Sequence, residues 1–123
     1  MPSLRALRLA QGRLREAIQR FVVTRDKIEK LPAVYILASQ RNDTLYVGVT
    51  SNLVRLVWEH KNDQVDGFSR RYGVHMLVYY EILDAMDATI TREKQIKAGS
   101  MAKKLRLIES MNPEWNDLYA GIV

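Results

Sequence analysis

The chain has 123 residues, of which 47% are hydrophobic and 27% charged, so it can bury one compact core but is too short for two ordinary domains. Cysteine is absent, which excludes disulfides, thiolate metal sites and cysteine nucleophiles. No apolar run approaches the roughly 20 residues that cross a bilayer, and the first residues lack the apolar block of a signal peptide. The sequence therefore predicts a cytoplasmic protein with no membrane partner.

The net charge of +5 is concentrated in residues 1–30, where eight basic residues accompany three acidic ones. The 11 basic and 11 acidic residues of the remaining chain cancel. A basic arm favours phosphate backbones through counterion release, without reading sequence. A solvated helix on a neutral domain gives the same pattern, so both interpretations stay open.

The predicted elements begin with that arm, in which apolar residues recur at spacings of three, four or seven until Pro32 ends the helical pattern. Val34–Ala38 and Thr44–Val49 have strand character, and the polar residues 40–43 between them predict a hairpin. A helix follows over residues 52–60.

The second half of the chain continues the mixed pattern. Residues 63–73 are polar and contain glycine, which is typical of a surface loop, and Met76–Leu83 is a predicted third strand. Asp87 is the predicted N-cap of a helix that runs to about Lys97, and a last helix covers Ala102–Met111.

Two tyrosine-bearing strands followed by a helix form the most informative segment. It contains Val34-Tyr35-Ile36, Leu45-Tyr46-Val47-Gly48 and a helix ending in Glu59-His60, and the run Arg92-Glu93-Lys94-Gln95-Ile96-Lys97 follows later. This order resembles the GIY-YIG endonuclease domain, in particular its small single-domain members, which are related to the N-terminal domain of an excinuclease protein.

The resemblance implies an α+β fold of order β-β-α-β-α-α, with a three-stranded antiparallel sheet flanked by helices. It places the nuclease domain at residues 32–119. Residues 1–31 are then a basic helical N-terminal extension, and residues 120–123 are a C-terminal tail.

The resemblance also assigns the chemistry. Tyr46 lies where a phenol helps to deprotonate the attacking water, and Tyr35 lies where a second hydroxyl organises that water. His60 takes the position of a histidine that assists water activation or holds phosphate, and Asn116 takes that of an active-site asparagine. Glu93 is the candidate ligand of one Mg²⁺ or Mn²⁺ ion, since Mg²⁺ keeps much of its hydration and needs few protein ligands.

Each of these residues has a plain structural alternative. Tyrosines are common in strands, a helical histidine is usually structural, and a glutamate between basic residues is commonly a surface ion-pair residue. Gly48 marks either a close approach of another backbone or of a ligand, or a simple bulge.

Leu56 departs from the family, which has a catalytic arginine ten residues after the second tyrosine. Losing such an electrostatic contact commonly costs about 10²-fold or more in rate. Arg55 and Arg41 are the candidate substitute cations. Arg55 is expected to point away, because one helical step turns a side chain by about 100°.

Further basic residues are predicted to contact DNA phosphates without reading bases. They are Arg70, Arg71, Lys94, Lys97, Lys103 and Lys104.

Two functions remain. The first is a metal-dependent DNA endonuclease, a phosphodiester hydrolase whose kinship with excinuclease points to DNA repair. The alternative is a catalytically weakened nucleic-acid-binding or interaction module. The sequence leaves the choice between DNA and RNA, the substrate structure and the oligomeric state open.

Overall fold

The computed structural model describes residue 28 and residues 30–41, 43–62 and 73–123 of the chain. Most of the predicted basic extension, nearly all of the predicted 63–73 loop, and Arg70 and Arg71 lie outside the described residues. No helix in the described part combines the length and the apolar character needed to cross a membrane.

The described elements follow the predicted order. They are β1 (Ala33–Ala38), β2 (Leu45–Thr50), α1 (Leu53–Lys61), β3 (Met76–Ile82), α2 (Met86–Ala98), α3 (Met101–Met111) and a short 3₁₀ helix (Leu118–Gly121). The three strands form one antiparallel sheet in the order β2-β1-β3. The predicted α+β fold is therefore confirmed.

The central strand β1 is buried along its whole length, because both faces of the sheet are covered. Its odd-numbered residues, Ala33, Tyr35 and Leu37, pack against α1, and we call this side of the sheet the α1 face. Its even-numbered residues pack against α2 and α3 on the opposite side, which we call the α2–α3 face. This alternation follows from the period of two in a strand.

The β1–β2 hairpin sets the register that matters for function. Tyr35 pairs with Gly48, and Leu37 pairs with Tyr46. Residues 35, 37, 46 and 48 therefore project to the same face, and the two tyrosines are diagonal neighbours across the strand pair. The turn is closed by Ser39, whose N–H donates to the Thr44 carbonyl (3.1 Å).

A side-chain cap explains where α1 begins, but α2 begins without one. The Asn52 Oδ1 accepts from the Arg55 N–H (3.1 Å), and α1 starts at the next residue, Leu53. The prediction that Asp87 caps α2 was wrong, since the N-cap is Ala85 and makes no side-chain hydrogen bond. Asp87 lies in the first turn instead, where its charge favours the positive end of the helix dipole.

An irregularity in β3 connects the sheet to the end of α3. Ile36 pairs with Tyr79 and Leu37 with Leu77, so Val78 is the extra residue of a bulge. The Val78 carbonyl accepts a hydrogen bond from the buried Asn112 amide (3.2 Å). Asn112 thereby joins the C-terminal end of α3 to the edge strand.

Candidate active site

Three of the five predicted catalytic residues come together on the α1 face. The Tyr35 and Tyr46 rings lie with their centroids 6.2 Å apart, and the His60 ring lies 6.4 Å from the first and 5.8 Å from the second. Tyr35 and His60 are buried, and Tyr46 is half-buried. We call these three side chains the aromatic cluster.

Gly48 makes room for this cluster. A Cβ at residue 48 would lie 2.6 Å from the Tyr35 Cζ, closer still to its hydroxyl, and 3.1 Å from the Tyr46 Cε1. The Tyr35 ring therefore passes over the backbone of its cross-strand partner, which any larger residue would prevent. The group that approaches Gly48 is thus a side chain, not the backbone or ligand that the sequence suggested, and the β1–β2 register continues through Gly48 without a bulge.

Burial keeps two members of the aromatic cluster, Tyr35 and His60, uncharged. Burial raises the pKa of Tyr35 well above its ordinary value, and Tyr46 and the negative charge of Glu93 raise it further. Tyr35 thus stays a neutral phenol, a form whose hydroxyl can donate a hydrogen bond. Burial lowers the pKa of His60, as does the nearby His75, against an opposing effect of Glu59. The His60 imidazole is therefore held in the neutral form, in which one of the two ring nitrogens carries no proton.

Glu93 lies on α2, the helix whose Ile96 packs on the α2–α3 face of the sheet. Its side chain is only 16% exposed, and its Oε1 lies 3.3 Å from the Lys97 Nζ one helical turn later. Its negative charge is the smallest of the four contributions that raise the pKa of Tyr35. No group of three metal-binding side chains occurs in the described part of the chain, so Glu93 is not part of a complete protein cage there.

Leu56 is half-buried and packs against the apolar cluster that includes Tyr35, Leu53 and Val57. Its α1 position thus supplies a hydrocarbon surface where the family has a cation.

The two predicted substitute cations lie elsewhere. The Arg55 Nε is 2.9 Å from Glu59, and its side chain is 77% exposed. Arg55 borders a separate cleft of about 260 Å³ with Val54, Trp58 and Tyr119. Arg41 is exposed in the turn between β1 and β2.

Arg92 has a role that sequence reasoning missed. Its Nε donates to both Glu81 oxygens, at 2.9 and 3.1 Å, and the Tyr79 hydroxyl also bonds Glu81. Burial opposes the Arg92 charge, but the hydrogen bond and charge of Glu81 outweigh burial and raise its pKa. The contact ties α2 to β3 one residue before Glu93. No local signal predicted it, because the partners lie in different elements.

The predicted phosphate-binding lysines are distributed over α2 and α3. Lys103 and Lys104 border a cleft of about 190 Å³ between these helices, together with Arg92, Gln95 and Leu107. Lys94 is exposed on α2, and Lys97 is paired with Glu93.

Asn116 lies in the turn after α3 and has an exposed side chain. Asn112 holds its backbone, accepting from the Asn116 N–H (2.9 Å) and donating to its carbonyl (2.7 Å). The next residue, Asp117, bonds Lys61 at the end of α1 and accepts from the Leu77 N–H (3.2 Å). These contacts fix the path of the chain at Asn116.

Comparison with known proteins identifies the class to which this fold and site belong. The GIY-YIG catalytic domain family model matches residues 31–106, more than half of the chain, so the protein belongs to the GIY-YIG family. GIY-YIG domains are nuclease domains that act on nucleic acids and generally use a divalent metal. The family membership predicted from the tyrosine motifs is confirmed.

Among the relatives is a UPF0213 protein of Natronomonas pharaonis, 40% identical over 75 residues, covering 61% of this chain and 87% of the relative. A UPF0213 protein of Syntrophus aciditrophicus is 37% identical over 82 residues, covering 66% and 92%. One of Clostridium perfringens is 35% identical over 77 residues, covering 63% and 82%. No solved structure matches significantly.

Proposed function

We propose that this protein is a DNA endonuclease that hydrolyses phosphodiester bonds with one divalent metal ion bound at Glu93. The observation that carries this proposal is the meeting of Tyr35, Tyr46 and His60 on one face of the hairpin, with the charge of Glu93 reaching Tyr35. Hydrogen-bond donors, a proton acceptor and a metal-binding carboxylate are groups that can each promote hydrolysis of a phosphodiester.

The protonation states support a division of roles. Tyr46 relays a proton: as the water oxygen bonds to phosphorus, the water proton moves to the Tyr46 oxygen, and the hydroxyl proton of Tyr46 passes to the neutral imidazole of His60, whose ring centroid lies 5.8 Å away. Tyr35 keeps its own proton and orients the water or a phosphate oxygen by donating a hydrogen bond. The phosphorus–oxygen bond to the leaving group breaks, and the leaving oxygen departs with the bonding electron pair and takes a proton from solvent.

The donor set at Glu93 fits an ion that shares its ligands with substrate and solvent. Mg²⁺ favours oxygen ligands and commonly binds through one or two carboxylates, with waters and phosphate oxygens in the remaining positions. A bound ion would neutralise the phosphate and stabilise the departing oxygen. Lys97, which pairs with the same carboxylate, would have to give up part of that contact.

The basic cleft between α2 and α3 supports binding of a nucleic-acid backbone. Arg92, Lys103 and Lys104 border it, and no carboxylate is found among the described residues that line it. Contacts of this type position a duplex or single strand without specifying its sequence. We therefore propose that Lys94, Lys103 and Lys104 fix the DNA relative to the aromatic cluster.

A second function, a weakened relative that only binds nucleic acid, is favoured by one observation. Leu56, at the position where the family has arginine, packs its hydrocarbon side chain against the apolar core cluster that contains Tyr35. In that case, the site would hold a phosphate poorly and turn over slowly.

The deciding experiment compares Mg²⁺-dependent cleavage of single-stranded, duplex and branched DNA by the natural chain, Glu93→Gln and Leu56→Arg. We expect slow cleavage by the natural chain, none by Glu93→Gln, and a rate about 10-fold or more higher for Leu56→Arg, because an arginine restores transition-state charge stabilisation. Glu114→Gln, which changes an exposed carboxylate in the turn after α3, is the matched control.

Cleavage by Leu56→Arg alone would instead assign the natural chain to the binding class. If neither protein cuts any of the three substrates, the nuclease proposal fails.

A further inference from the structure

We infer that Lys97 supplies the positive charge that the family obtains from the arginine missing at Leu56, and that it does so from α2 instead of α1. This inference rests on the proposed nuclease function. It makes Lys97 a catalytic residue that contacts the scissile phosphate.

Three other basic residues of the described part of the chain pair with groups other than Glu93. Arg55 pairs with Glu59 and borders a separate cleft. The Arg92 Nε donates to both carboxylate oxygens of Glu81, and the Arg92 Nη1 lies 3.4 Å from the Gln95 Oε1. Lys61 bonds Asp117 and the His75 carbonyl.

Lys97 is different because its partner is the candidate metal-binding carboxylate itself. Its Nζ lies 3.3 Å from the Glu93 Oε1, and residues four apart share one face of a helix. The ammonium is therefore on the same side of α2 as the carboxylate, whose charge reaches Tyr35.

Exposure leaves Lys97 accessible to a substrate. Its side chain is 53% exposed, whereas that of Glu93 is 16% exposed, so the ammonium lies on the solvent side of the pair. A phosphate approaching the carboxylate from solvent meets this ammonium on its path. The four-carbon stem of lysine allows the ammonium to move from carboxylate to phosphate oxygen without a change in the helix.

The chemistry required is electrostatic. As the water oxygen bonds to phosphorus and the leaving oxygen departs, negative charge builds on the other phosphate oxygens, and a nearby ammonium offsets it while keeping its protons. Lysine is a point charge and lacks the two-pronged geometry of a guanidinium, so it serves this role less well than arginine. Slow turnover by the natural chain and faster turnover by Leu56→Arg both follow.

The test measures kcat and KM for DNA cleavage by Lys97→Met and Lys97→Arg, each in the natural chain and in the Leu56→Arg background. In the natural chain, we expect Lys97→Met to lose about 10-fold or more in kcat with a smaller change in KM, and Lys97→Arg to keep most of the activity. In the Leu56→Arg background, the same Lys97→Met change should cost no more than about 3-fold, because the arginine then supplies the charge.

Arg55→Met is the competing variant, since it removes the cation of another i,i+4 ion pair, on α1. Thermal unfolding of every variant shows whether it is folded, and a loss of kcat at unchanged melting temperature separates a role in the reaction from a role in helix stability.

Several outcomes would overturn the inference. They are an unchanged kcat for Lys97→Met, an equal loss in both backgrounds, and a larger loss for Arg55→Met than for Lys97→Met. An inactive natural chain beside an active Leu56→Arg would also overturn it, but would leave the nuclease scaffold standing. Inactivity of both would reject the proposed function itself.

Discussion

Tyr35 holds its place in the aromatic cluster because residue 48, its cross-strand partner, has no side chain. The ring is buried and its pKa is raised, so its hydroxyl stays protonated and its orientation is decided by packing. The tyrosine motif could be predicted from sequence. The need for glycine could not be separated from a bulge, because that distinction depends on where the Tyr35 ring lies across the strand pair.

Gly48→Ala is expected to lower both activity and stability. The new methyl group would displace the Tyr35 ring and its hydroxyl, with an overpacking cost of about 1–3 kcal/mol and a loss of about 10-fold or more in cleavage rate. Urea unfolding and a cleavage assay measure the two effects. Gly121→Ala is the matched control, since nothing lies within 4 Å of a Cβ at that residue. Equal behaviour of the two variants would contradict the argument.

Contacts between elements decide the orientation of α2 and α3 on the sheet. Arg92 joins α2 to Glu81 on β3, and Asn112 joins the end of α3 to Val78 and Asn116. Sequence patterns predicted these helices and strands, although α3 begins one residue before its predicted start and the N-cap of α2 lies two residues before Asp87. The contacts of α2 and α3 with β3 could not be predicted, because each joins residues at least 11 positions apart or depends on a bulge in β3.

Asn112→Ala should destabilise the fold by about 2–3 kcal/mol, because it removes three hydrogen bonds and leaves buried polar groups without a partner. Asn116→Ala is the natural comparison, since its side chain is exposed and its backbone contacts remain. Urea unfolding of both variants measures the difference. A cost for Asn116→Ala as large as that for Asn112→Ala would show that the turn is held by other contacts.

At the scale of the whole molecule, the boundary of the N-terminal extension matters. Ile28 falls within the predicted extension, yet it is 6% exposed and belongs to the α1-face core with Val74, Leu77 and Ile122. The end of the extension therefore contributes to the core, while most of its basic residues precede Ile28 in sequence.

Deletion of residues 1–26 tests whether the basic extension contacts DNA while retaining Ile28. The logarithm of the DNA association constant falls linearly with the logarithm of the salt concentration. If the extension contacts phosphates, this negative slope should become shallower by about 0.9 for each phosphate that the deletion leaves without its basic partner. Fluorescence anisotropy with a labelled duplex, measured from about 50 to about 200 mM salt, gives this slope. A longer deletion, of residues 1–30, also removes Ile28 and should lower thermal stability.

An unchanged slope after the shorter deletion would assign the basic residues to a solvated surface. Equal melting temperatures for the two deletions would show that Ile28 contributes little to the core.

The sequence by itself determined the order of elements, the family and the residue types available for chemistry, because hydrophobic periodicity and short motifs are local properties. Only the tertiary structure decided that Tyr35, Tyr46 and His60 meet, that Leu56 faces apolar packing, and that Arg55 and Arg92 are held by other carboxylates. It also placed the Lys97 ammonium beside Glu93. The physical reason is that the electrostatics of a site depend on distances and burial, which strand register and helix packing set between residues far apart in the chain.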